Sequence, residues 1–185
     1  MTEIFFRYRM RVLALLFIAV MFTACDSVTA VEMDDKDNNE VVLNATEQQM
    51  LSLINGARSI ARSCGTTQHP AAPPVTWNPL LTEAATAHSQ DMVANNFFSH
   101  TGSDSSSVGD RVTVTGYFWK TVGENLYAGL NDAERAVQAW IDSPGHCRNL
   151  MDPDFEEVGM DVVVGINTTY GAYWTQVFGA LRTSL

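Results

Sequence analysis

The chain has 185 residues, 46% of them hydrophobic, an ordinary share for a globular protein. Its formal net charge is −10; Arg7, Arg9 and Arg11 against Glu3 leave the part after residue 24 at −12. A body that acidic repels phosphate backbones, and no Arg/Lys cluster offsets it, so nucleic acid is not an expected partner.

In chain order, three arginines precede the apolar run Val12–Phe22, which is followed by Thr23-Ala24-Cys25. A basic start, a short apolar run and small residues before a cut describe a secretory signal over residues 1–24. The run is too short for a comfortable membrane span. Thr23-Ala24-Cys25 resembles a bacterial lipoprotein box, with Phe22 where Leu is usual. On that reading Cys25 becomes an acylated N-terminus; the alternative is an ordinary signal cut nearby, with Cys25 incidental. Two or three acyl chains suffice for stable anchoring. Residues 25–45 read as an acidic tether: Asp26, Glu32, Asp34, Asp35, Asp37 and Glu40 face only Lys36 and no aromatic residue.

The folded part is expected over 46–185, near the usual size of one domain. Thr46 with Gln49 has capping-box spacing, and Met50, Leu51, Leu53, Ile54, Ala57 and Ile60 fall on one helical stripe. Gly65 suits that helix's stop. Pro70, Pro73 and Pro74 mark a loop, and Trp77-Asn78-Pro79 leads into a helix over about 80–95 that carries His88. A polar loop over 101–108 follows. A third helix is predicted over 134–141, ended by Pro144-Gly145, so that His146 sits on a turn with a short helical piece after it. Strands are predicted near 115–120, 124–128, 157–164 and 172–179, the last two as a hairpin around Gly165–Gly171. Helices and antiparallel strands without βαβ alternation make the fold class α+β.

With Cys25 taken by lipid, Cys64 and Cys147 are an even pair in an oxidising compartment. A disulfide between them would close a loop of about 80 residues and stabilise by about 4 kcal/mol. Two free buried thiols are the other reading; neither cysteine lies in a CxxC pair that would favour metal.

Three segments carry the chemistry: Phe97-Phe98-Ser99-His100, Gly123-Glu124-Asn125-Leu126 and Ser143-Pro144-Gly145-His146. Two imidazoles and a carboxylate suffice for a divalent metal site with open positions, or for acid–base work. No Gly-x-Ser-x-Gly elbow, His-Glu-x-x-His or phosphate-binding glycine loop competes with them. Together with Leu51–Arg58, Val75–Leu81, Ala87–Met92, Phe155–Gly159 and the strand Tyr173–Gly179, these segments resemble the CAP superfamily in family order. This is the SCP domain of cysteine-rich secretory, antigen 5 and pathogenesis-related 1 proteins, here in its short bacterial form. The likeness spans roughly 46–180 and implies a three-layer α-β-α sandwich.

The same resemblance implies a cleft formed by His100, Glu124 and His146, with His100 and His146 able to hold zinc or another divalent metal. The family's second acid is unmatched: Ser143 stands near its place, with Asp142 beside it. Family members have been linked to sterol and lipid binding, protein recognition and proteolysis. The expected function is therefore an extracytoplasmic, lipid-anchored binding protein with a metal- or small-ligand-accessible cleft. The enzyme alternative is a metal-assisted hydrolase with Glu124 as general base. The third is a scaffold for another envelope protein. Tyr127, Trp174, Gln176 and Phe178 are candidates to wall a groove, whereas His88 reads as helix core outside the cleft.

Overall fold

The computed structural model describes residues 41–183. The predicted signal peptide, the Cys25 lipidation site and the tether up to residue 40 lie outside the described residues. The first helix, α1 (Ala45–Arg58), starts one residue before Thr46. Asn44 is its N-cap and accepts from the amides of Thr46 and Glu47, while the Glu47 carboxylate accepts from the Asn44 amide. The capping box is thus Asn44/Glu47 and not Thr46/Gln49. Asn outranks Thr as an N-cap, and a carboxylate in the first turn also favours the helix dipole.

Gly65 does not end α1, which stops at Ser59. With φ +65° it instead forms the turn of a small hairpin, β1 (Arg62–Cys64) and β2 (Thr67–His69), which the sequence reading missed. Next come β3 (Thr76–Trp77) and α2 (Pro79–Ala94), with Asn78 as N-cap and Pro79 at the first position, where its missing N–H costs nothing. The predicted polar loop gives way to a further helix, α3 (Val108–Val114), capped reciprocally by Ser107 and Asp110. The two short strands predicted near 115–120 and 124–128 are one strand, β4 (Trp119–Gly129). Then follow α4 (Ala133–Asp142), α5 (Pro144–Leu150), β5 (Glu157–Val164) and β6 (Ala172–Leu181). Pro144 therefore opens a helix as well as closing one, which puts His146 in the first turn of α5 rather than on a turn.

The main sheet has the order β3-β5-β6-β4, antiparallel except for the short parallel pairing of β3 with β5. Alternation along β6 assigns the two faces. Ala172, Trp174 and Phe178 enter the core with Met50 and Ile54 of α1, Trp140 of α4 and Leu150 of α5. Tyr173 packs with Met92 of α2, and Val177 with Leu81 of α2 and Val112 of α3. Helices thus cover both faces, and β6 is buried from Ala172 to Ala180, as expected of a strand with no solvent side. This is the α-β-α sandwich. At Gly159 a Cβ would land on the backbone of Leu81 and Thr82, so only glycine lets α2 lie this close to β5.

Two long-range ties fix α5. A disulfide joins Cys64 to Cys147 across 83 residues of sequence. Arg58, wholly buried, donates to the carbonyls of Pro73, Leu150, Asp152 and Phe155 at 2.8–3.2 Å. One guanidinium thereby satisfies the carbonyl-rich C-terminal end of α5 and the turn beyond it.

Candidate functional site

Glu124 sits at the centre of β4, with its side chain 3% exposed, and both of its oxygens are engaged. Oε1 accepts from Nδ1–H of His100 at 2.7 Å, and Oε2 accepts from Nη2 of Arg111 at 2.6 Å. Arg111 comes from α3, has a side chain only 9% exposed, and also donates to the carbonyls of His100 and Ser106. A buried carboxylate so paired is charge-neutralised, and its hydrogen bond selects the tautomer of His100 with Nε2 as the lone-pair nitrogen. Sequence reading missed Arg111. The signal available was the Ser107-x-x-Asp110 capping spacing, which marks a short helix with this arginine in its last turn.

The neighbouring Asn125 brings the second imidazole into place. Its Nδ2 donates to the carbonyl of His146 at 3.1 Å and to Oε1 of Gln176 at 2.9 Å. Asn149 of α5 donates to the Glu124 carbonyl and to Oδ1 of Asn125, both at 3.0 Å. This amide cluster clamps α5 to the edge of β4, so His146 is positioned by the strand that holds Glu124. The His100 and His146 rings lie 6.4 Å apart between centroids, at 57°. His100 is mostly exposed and His146 half-buried. Burial, and secondarily the nearness of His100, hold the His146 pKa below the ordinary imidazole value, so it is neutral at neutral pH.

His88 is not in the cleft, yet it supports it from behind. It is fully buried, and Nε2–H donates to the carbonyl of Ser99 at 2.8 Å, one residue before His100. Gln176 and Phe178 are buried in the sheet, and Trp174, also buried, lines a cavity beside α1 rather than the cleft. Asp142, considered for the family's second acid, is exposed and accepts from Gln138 on α4. Ser143 has no side-chain capping bond.

Among the described residues, no three His, Cys, Asp or Glu side chains form a ready metal cage. The donor set is two neutral imidazoles backed by a carboxylate that already balances a guanidinium. With Zn–N near 2.1 Å, a tetrahedral imidazole pair has centroids about 5 Å apart. The observed 6.4 Å exceeds this by more than about 1 Å, so closing on one ion requires movement of a ring, and His100 is the more exposed of the two. The residues fit a site of two protein ligands completed by solvent, and do not fit a closed structural one.

Comparison with known proteins agrees with this architecture. The family model for cysteine-rich secretory proteins, CAP, matches residues 51–178. The uncharacterized protein YkwD of Bacillus subtilis (strain 168) is 32% identical over 136 residues, 74% of this chain and 48% of the relative. The uncharacterized membrane protein YlbC of the same organism is 31% identical over 74% of this chain and 35% of its own length. This chain thus spans half or less of these relatives. Among solved structures, an extracellular SCP-domain protein from Bacillus anthracis str. Ames aligns with TM-score 0.59 and 30% identity, over 71% of this chain and 39% of that one. An outer surface protein from Borrelia burgdorferi aligns with TM-score 0.61 at 19% identity, over 74% of this chain and 93% of that one, a likeness of fold alone.

Proposed function

The chain belongs to the CAP family of cysteine-rich secretory proteins, and on that premise we propose that it is an extracytoplasmic binding module with an exchangeable divalent-cation site. His100 and His146 hold the cation. Glu124 sets the tautomer of His100 without ligating, and Arg111 keeps Glu124 in place. The observation that carries this reading is the 2.7 Å bond from His100 Nδ1 to Glu124, which leaves Nε2 free to ligate. Two imidazoles without an anionic ligand bind a cation weakly and leave positions open for water or for an oxygen of a bound ligand.

Compartment and anchor form part of the proposal. The disulfide suits an oxidising compartment, and the relative from Bacillus anthracis is described as extracellular. An acylated Cys25 would tether the domain to the cell envelope. The hydrolase reading is less well supported, because a water-activating Glu124 would have to surrender an oxygen held at 2.6 or 2.7 Å.

Zinc titration of the full chain by calorimetry tests the site. His100→Ala and His146→Ala should each weaken binding at least tenfold, since one imidazole cannot replace a chelating pair. Affinity should also fall as pH drops through the imidazole range, because protonated rings do not ligate. Glu124→Gln, whose amide oxygen still accepts from Nδ1–H, should change affinity by less than either histidine variant. Wild-type protein that takes up no zinc, or metal-dependent hydrolysis of peptide or ester substrates abolished by Glu124→Gln, would overturn the proposal.

A further inference from the structure

The exposed large apolar side chains are not scattered. Leu130, Val164, Ile166 and Tyr170 stand at 60, 55, 87 and 47% exposure, and all lie where β4 ends, β5 ends and β6 begins. Register brings them together: Gly129 pairs with Ala172, and Ala172 pairs with Val164. Phe98, 41% exposed, joins from the other helical layer, its ring 5.6 Å from that of Tyr170. The opposite end exposes Ile60, just past α1, with Val114, Phe118 and Leu181 among the described large apolar residues, and there Arg182 covers the Phe118 ring. The two ends differ in that the first pairs its Phe98 and Tyr170 rings, whereas a guanidinium shields Phe118 at the second.

The described chain begins at the first of these ends. Asn44 and Glu47 share a cavity of about 380 Å³ with Val162 and Trp174, and Trp174 Nε1 donates to the Leu130 carbonyl. From there α1 runs toward the other end, where Arg58 meets the Phe155 carbonyl. Val41 and Val42, 42 and 92% exposed, immediately precede this helix start in sequence. Fifteen residues separate Cys25 from Val41, a reach of at most roughly 55 Å. A lipid on Cys25 would attach the tether that enters the domain at this end.

We infer that the surface formed by Phe98, Leu130, Val164, Ile166 and Tyr170 seats on the lipid surface itself. The inference rests on the anchor proposed above. Single exposed apolar residues need no explanation, but a group gathered at one set of strand ends, where a tether enters, marks an interaction face. Tyr170 has the amphipathic ring favoured at a membrane interface. The tether supplies effective concentration, so the face can be a weak binder and still be seated. Charge selects the lipid. Glu47, Asp132, Glu134 and Asp161 lie on the helix starts and the strand beside this end, with Arg135 as the counter-charge in the same stretch. Both lysines of the chain, Lys36 and Lys120, are elsewhere in sequence. The face therefore fits zwitterionic headgroups better than anionic ones. Seated this way, the cleft at Glu124 stands about 17 Å from the strand end along β4, clear of the headgroups and open to solvent.

The test uses the full chain, made in a bacterial host and reconstituted into phosphatidylcholine vesicles with brominated acyl chains. Ile166→Trp reports the end with Tyr170 and Phe118→Trp the opposite end, each read as the quenching added over wild-type emission. Quenching at 166 should be at least threefold that at 118. Leu130→Ser with Tyr170→Ser in the Ile166→Trp background should abolish the difference, with an unchanged melting temperature as the folding control. Replacing phosphatidylcholine with anionic lipid should reduce it. Mass spectrometry of Cys25 and a parallel Cys25→Ala series separate the two readings. An acylated chain that floats with vesicles while residues 166 and 118 stay equally unquenched overturns the seating and leaves the anchor standing. Unacylated chain quenched at 166 keeps the surface and removes the anchor. Absence of both defeats both. Protection of Trp at 166 in lipid-free buffer that rises with protein concentration would assign the face to a second copy and overturn the inference.

Discussion

Replacing Glu124 by Gln should be costly for a reason separate from metal binding. Arg111 would be left with a guanidinium only 9% exposed and no counter-charge, while the side chain at 124 stays 3% exposed. Breaking one side of such a buried pair costs about 3–5 kcal/mol. The Gln oxygen can still accept one of the two bonds, which favours the lower figure. Against a total stability of about 5–15 kcal/mol, a loss near 3 kcal/mol lowers the melting temperature by roughly 10 °C for a domain of this size. Thermal unfolding followed by circular dichroism, on wild type, Glu124→Gln, Arg111→Met and the double variant, reads this out as a cycle. Removing both charges leaves no stranded ion, so the double variant should be more stable than Glu124→Gln by about 1 kcal/mol or more. The rescue is partial, because Arg111 also serves the carbonyls of His100 and Ser106. A Glu124→Gln protein melting within about 2 °C of wild type, or a double variant as unstable as the sum of the singles, would refute the assignment of Arg111 and Glu124 as a coupled buried pair.

Reduction of the Cys64–Cys147 bond, which closes 83 residues of sequence, should cost about 4.5 kcal/mol in the chain-entropy model and lower the melting temperature by roughly 10–20 °C; alkylation of both thiols in native, unreduced protein would contradict it. Arg58→Met should lose about 4 kcal/mol, since four carbonyls, two of them in buried bonds and two in part-buried ones, lose a charged donor. Chemical denaturation measures that loss, and zinc affinity of the folded variant should also fall because α5 carries His146. His88 has its pKa lowered by burial first of all, so the unfolded chain binds its proton more readily than the folded one. Stability should be full above the ordinary imidazole value of 6.5 and fall as pH drops below it toward the lower folded value. His88→Gln should flatten that slope in pH-dependent melts; an unchanged slope would exclude His88 as its source.

The motif wording and its spacing carried much of the fold and part of the site. The β-branched and aromatic residues over 157–164 and 172–179, flanking the turn at Gly165–Gly171, mark strands, and β5 and β6 lie there. Pro79 after Asn78 marks the start of α2 because proline fits only the first turn of a helix. Pro144-Gly145 reads in sequence as an end, with any helical piece only after His146, whereas the same proline that cannot continue one helix opens α5, which packs on β4. The Arg62–His69 hairpin escapes notice because three-residue strands carry too little alternation to register. At the site, sequence supplies His100, Glu124 and His146 as residue types but says nothing of which atoms meet. Glu124 is ion-paired rather than free because Arg111, thirteen residues away on a helix the sequence reading did not assign, folds over it. Local spacing determines the elements and the chemistry they can present. Charge pairing, the tautomer of a site imidazole and the clustering of apolar side chains at one end depend on contacts between segments far apart in sequence, and those the tertiary structure alone decides.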